Sequence, residues 1–138
     1  MIFWLLVQFL LGIAVNLFVE IPRNHPGANP PEYFSGVAQS VIWAILQGPV
    51  LLILHASLGL LLVIGGVVVF VQAVRSGPRS FAIATGTGAF AILAAGLNGG
   101  SFLNYNEDFS SMIMAALFAI AVAAYAAALY VGPFVSRA

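Results

Sequence analysis

The sequence contains no cysteine and no lysine, and its 138 residues include four arginines against four acidic residues, 6% charged in all with a formal net charge of zero. Without cysteine there is no disulfide, no thiolate-held metal and no cysteine nucleophile. A soluble domain carries about 25% charged residues, so a surface this poor in charge could not be kept in water. With no basic run, neither nucleic acid nor an anionic lipid surface finds a matching patch. Also missing are a G-x-S-x-G elbow, an H-E-x-x-H pair and a phosphate-cradling P-loop, so acyl transfer, metalloprotease and phosphoryl chemistry have no anchor. The chain reads as a non-enzymatic protein with no nucleic-acid partner.

What is present is hydrophobic, 62% of all residues. The pattern predicts an all-α integral membrane protein: one membrane domain over 1–138, a bundle of four transmembrane helices at about 1–19, 49–74, 81–97 and 111–131, and an extra interfacial helix at about 35–47. The organising stretch is Pro49 to Ala73, PVLLILHASLGLLLVIGGVVVFVQA. At helical rise it crosses the roughly 30 Å hydrocarbon layer. It holds no Asp, Glu, Lys or Arg, and its one ionisable side chain is His55.

Met1 to Val19 lacks a positive start and an A-x-A cleavage pattern, which predicts a retained span rather than a leader. Gln8, Gly12 and Asn16 recur at four-residue steps. They share one side of a helix, and that side should face protein, because lipid offers a carboxamide no partner. Glu20, Ile21 and Pro22 end the span, and the proline-rich RNHPGANPPEYF predicts an exposed loop. From Ser35 to Gln47, Gly36, Gln39, Ser40, Trp43 and Gln47 fall on one side, as in a helix lying at the interface. Continued unbroken into the next span it would be about 60 Å long, so a bend is expected at Gly48 and Pro49.

The short RSGPRS turn at 75–80 carries Arg75 and Arg79, and Arg137 follows near Gly132 and Pro133, against Arg23 alone among the other loops. Arginine-rich short loops stay in the cytoplasm. The expected topology is therefore a multi-pass protein of the cell membrane, both termini cytoplasmic, with outer loops at 20–36 and 98–110. The glycines of TGTGAFAILAAGLNGG follow no strand and sit within a span, where they permit close helix packing. Asp108, Ser110 or Ser111 is expected to cap the fourth helix. Along that helix Ala115, Ala116, Ala119, Ala123, Ala126 and Ala127 recur at three- and four-residue steps, a face suited to another helix.

This topology brings Asn16, Glu20, His55, Asn98, Ser101, Ser110, Ser111 and Met112 to one depth near the outer surface. They form the candidate site, an outward-facing polar pocket for a small ligand, a lipid or a partner. His55 has two uses there. It can serve as an intramembrane ligand or proton carrier, or as a neutral ring that donates to a carbonyl or to Asn98 and locks two helices. Gly59, one turn below, leaves room for a flat ligand or a close helix. The resulting expectation is a small subunit, a homo-oligomer or a part of a larger membrane complex, embedded in the lipid bilayer. One alternative is a redox protein binding haem or metal through His55, with His25, Met112 or Met114 as second ligand. The other is a channel or transporter subunit, in which several copies line a path that one copy lacks.

Overall fold

The computed structural model describes residues 1–132; the closing Pro133 and Arg137, and with them the C-terminus, lie outside the described residues. Five helices make up the described chain: α1 (Ile2–Phe18), α2 (Tyr33–Leu46), α3 (Val50–Ser76), α4 (Arg79–Tyr105) and α5 (Asp108–Val131). Three of them, α3, α4 and α5, are long and apolar enough to cross a membrane. At 27, 27 and 24 residues they measure about 40, 40 and 36 Å. The first helix has 17 residues, about 26 Å.

Local chemistry accounts for the boundaries. Pro30 and Pro31 keep the chain extended, and the Glu32 carboxylate then caps α2, accepting from the amides of Phe34 at 3.0 Å and Ser35 at 2.6 Å. The expected bend is a full break: α2 ends at Leu46, and Pro49 stands as N-cap of α3, the place where a missing N–H costs nothing. The turn expected over 75–80 shrinks to Gly77 and Pro78 between α3 and α4. Asp108 opens α5 without a side-chain cap, after Glu107 in the N-cap position.

The outer loop expected over 98–110 is mostly helix. α4 runs through Asn98 and Ser101 to Tyr105 and stops at Asn106, whose left-handed backbone (φ 53°, ψ 44°) lets its N–H reach Phe102 O at 2.7 Å. The glycines that suggested a loop are contact points. A Cβ on Gly100 would lie 2.5 Å from Val37 Cγ1 of α2, and one on Gly99 would lie 3.3 Å from the Met114 sulfur of α5. Small residues draw helix axes together where lipid supplies no hydrophobic drive.

α4 is central, packed most extensively on α5 and also on α3 and α2, while α1 lies along α3 and touches α5. Neighbouring long helices run in opposite directions. The core has two levels. One joins Leu5, Leu62, Ala91, Ile92, Ala121 and Tyr125 from α1, α3, α4 and α5. The other joins Val15, Trp43, Ala44, Leu52 and Leu103 at the end that carries the α1–α2 loop. Outward faces are apolar, with Leu61 63%, Phe90 72% and Leu129 68% exposed, a surface that suits acyl chains and not water.

Tyr125 fills the space left by two glycines. A Cβ on Gly88 would come within 2.6 Å of its Cε2, and one on Gly66 within 3.2 Å of its hydroxyl. The ring is 4% exposed and its hydroxyl has no hydrogen-bond partner. An unpaired buried hydroxyl destabilises by about 1 to 3 kcal/mol. Tyr125→Phe is therefore expected to keep the fold and raise the thermal midpoint in mild detergent by roughly 5 °C; a lower midpoint would mean that the hydroxyl is paired in the membrane.

Candidate functional site

The α1–α2 loop does not form a lid over an open pocket. It folds into the bundle end and fills it. Gly27 makes the reversal, with φ +89°, a conformation that costs glycine nothing. The turn is closed by Ala28 N–H to His25 O at 3.1 Å, and Asn29, also left-handed (φ 47°), donates its N–H to Asn104 O at 2.9 Å.

His25 is carried inward by this turn and is 7% exposed. Its ring stacks on Trp43 of α2, centroids 4.3 Å apart and planes 15° off parallel. Nδ1 lies 2.8 Å from Pro26 O, and Nε2 lies 3.0 Å from Leu103 O in the last turn of α4. Behind it are Ser40 of α2 and Asn104 of α4, 0% and 2% exposed. The Asn104 amide atom 2.6 Å from Ser40 Oγ also faces the carbonyl oxygens of Gly27, Gly36 and Gly100 at 3.1 to 3.2 Å. Carbonyls only accept, so this atom is assigned as Nδ2, and Oδ1 then accepts from Val37 N–H at 3.3 Å. The Ser40 hydroxyl in turn donates a hydrogen bond to Pro26 O at 3.4 Å. Loop, α2 and α4 thus meet in one buried polar cluster.

A second polar contact joins α1 to α3 inside the apolar region. Gln8 Nε2 donates to His55 O at 3.1 Å and faces His55 Nε2 at 3.4 Å. Gly12 lies against the imidazole, where a Cβ would stand 3.1 Å from Cε1, and Gly59 makes room for the Gln8 amide. His55 Nδ1 and Gln8 Oε1 are buried without partners.

The residues expected in one pocket are dispersed. His55 pairs with Gln8 and not with Asn98, whose Nδ2 bonds Ala94 O of its own helix at 3.1 Å. Ser101 Oγ meets Tyr33 OH at 2.7 Å. Asn16, Glu20 and Met112 are exposed, Ser110 is buried and Ser111 half-buried. The i, i+4 logic placed Gln8 and Gly12 correctly against protein, while Asn16, a turn further on, points away. Sequence reasoning set Ser40 on an interfacial face where the structure buries it, and it passed over Asn104 and the inward turn of His25. Only His25's neighbours Pro26 and Gly27 hinted at a reversal, and nothing local marks Asn104 in SFLNYNEDFSS as buried.

Among the described residues no three of His, Asp and Glu approach closely enough to hold a metal ion. A haem between His55 and His25 would require the Gln8 contact to be released and at least one of the two carbonyl contacts of His25 to be given up. Open space at this end includes a cleft of about 180 Å³ lined by Gly27, Pro30, Glu32, Ser35, Gln39 and their neighbours, and a smaller one of about 50 Å³ between Arg23, Asn29 and Asn106. The arrangement closes one end of the bundle and joins α1 to α3. Compared with protein-family models, curated proteins and solved structures, the chain matches none.

Proposed function

We propose that the protein is a non-enzymatic, four-span membrane subunit that assembles side by side with a second copy of itself along α5. In this reading α1 is the fourth span, the 77–78 turn and both termini face the cytoplasm, and the sealed loop end faces outward. Three arginines against one support that orientation, and the lengthwise packing of α1 on α3 supports the fourth crossing.

The observation that carries the assembly is the alanine row. Ala115, Ala119, Ala123 and Ala127 follow one another at four-residue steps, and all are exposed, with Ala116 beside them. The contacts of α5 to its own bundle use the opposite side, Ala121, Ala124, Tyr125 and Ala128. A ridge of methyl groups gives lipid little to pack on, whereas another helix can approach it closely.

The absence of native cysteine makes the test direct. Ala119→Cys in native membranes is expected to give a disulfide-linked dimer on mild oxidation, while Leu61→Cys on the exposed face of α3 stays monomeric. Equal, low cross-linking at both positions, together with a monomer in mild detergent, would remove the proposal. A cross-link from Ala119→Cys to a different chain would replace the second copy with another membrane subunit. Haem or metal at His55 is a separate reading, and an absorbance spectrum with elemental analysis of the purified protein tests it.

A further inference from the structure

We propose that His25 is held as the doubly protonated imidazolium and acts as a pH-operated latch, closing the α1–α2 loop over the end of α4. Both ring nitrogens face carbonyl oxygens, Nδ1 at 2.8 Å from Pro26 O and Nε2 at 3.0 Å from Leu103 O. A carbonyl can only accept, so each contact is a hydrogen bond only when its nitrogen carries a proton. The neutral ring has one N–H and turns a lone pair toward the other oxygen.

Two further features favour the cation. Leu103 O belongs to the last turn of α4, whose final carbonyls have no partner within the helix and which forms the negative end of its dipole. The loop caps that end twice, through His25 at Leu103 O and through the Asn29 amide at Asn104 O. The flat stacking on Trp43 places positive charge over an aromatic face. No charged side chain shares the role. Glu20 and Arg23 of the same loop, Glu32 at the start of α2, and Glu107 and Asp108 at the start of α5 are all exposed, and Tyr33 and Tyr105 are the phenols of the adjoining helices. The partners of the ring nitrogens are the two carbonyls.

The closed loop therefore binds a proton that the open loop does not require. Raising the pH weakens closure and lowering it restores closure. Opening would uncover Ser40 and Asn104 and widen the cleft beside Gly27.

Two measurements test the latch. In ¹⁵N-histidine NMR of the full-length wild type in micelles at about pH 5.5, one of the two histidines, assigned by its loss in His25→Gln, should carry protons on both ring nitrogens. The thermal midpoint of wild type should exceed that of His25→Gln by about 5 °C at about pH 5.5, and the gap should close by about pH 8.5. Because His55 and the carboxylates are common to both proteins, their titration cancels in the difference. A neutral His25 ring at the lower pH would overturn the latch, as would a gap that does not change with pH. The remaining histidine signal in His55→Gln gives the same assignment, so the NMR measurement stands even if His25→Gln folds poorly.

Discussion

Asn104→Leu is expected to lower the thermal midpoint by roughly 10 °C, about 3 kcal/mol, although leucine fills a similar volume and the site is 2% exposed. Leucine removes the donor that faces Ser40 Oγ and the Gly27 carbonyl, and both remain buried beneath the loop. The Gly36 and Gly100 carbonyls lie within α2 and α4 and keep their helical bonds, so the loss falls mainly on the hydroxyl and the loop peptide. Asn104→Asp is expected to do at least as much damage. A carboxylate oxygen in place of Nδ2 would meet three carbonyls at 3.1 to 3.2 Å, with the Ser40 hydroxyl at 2.6 Å the one neighbour able to donate to it. Thermal unfolding of the three proteins in one detergent checks both changes. An aspartate variant as stable as wild type would show that the amide is turned the other way.

Gly27→Ala should have an effect of similar size by a different route. Its backbone at φ +89° is costly for any residue with a side chain. A Cβ there would also run into Ser40 Oγ, come within 2.5 Å of Gly36 O and stand 2.7 Å from Ser40 N. Two of these are backbone atoms of α2 and cannot swing aside. The loop must lift, which removes His25 from Trp43 and the Asn29 amide from Asn104 O. The expected result is a midpoint lower by roughly 10 °C and fast hydrogen exchange at the Asn29 amide, with α3 to α5 still helical by circular dichroism. Wild-type protection of that amide in the variant would refute the account.

These two residues also mark how far the sequence can be read. The hydrophobic runs and the break at Gly48 and Pro49 are written locally, in the length of the apolar stretches and in what proline does to a helix. The all-helical architecture followed from them, and three of the four expected spans are helices long and apolar enough to cross a membrane. The end of α4 was hidden because glycine, asparagine and serine carry opposite meanings in water and against another helix. Gly100 breaks a helix in one setting and lets Val37 approach in the other. Gln8 could be placed toward protein by spacing alone, yet its partner lies 47 residues away, and no periodicity predicts that pairing. Asn104 and His25 share the same difficulty: their meaning lies in a loop that turns inward, and the turn depends on contacts that exist only once α2 and α4 have met.

The unequal helix lengths carry a last consequence. α3 and α4, each 27 residues, exceed a hydrocarbon layer of about 30 Å by some 10 Å, and only Gly77 and Pro78 separate them. Such a tightly joined pair relieves the excess by leaning together. On the proposed four-span reading, α1 on the flank of α3 has the opposite problem, its 17 residues falling short of the same layer by about 4 Å. Lipids around the rim therefore meet walls of different height. In that arrangement chains beside α1 must shorten or splay while those beside the leaning pair need not, which gives one small protein a preferred acyl length on one side.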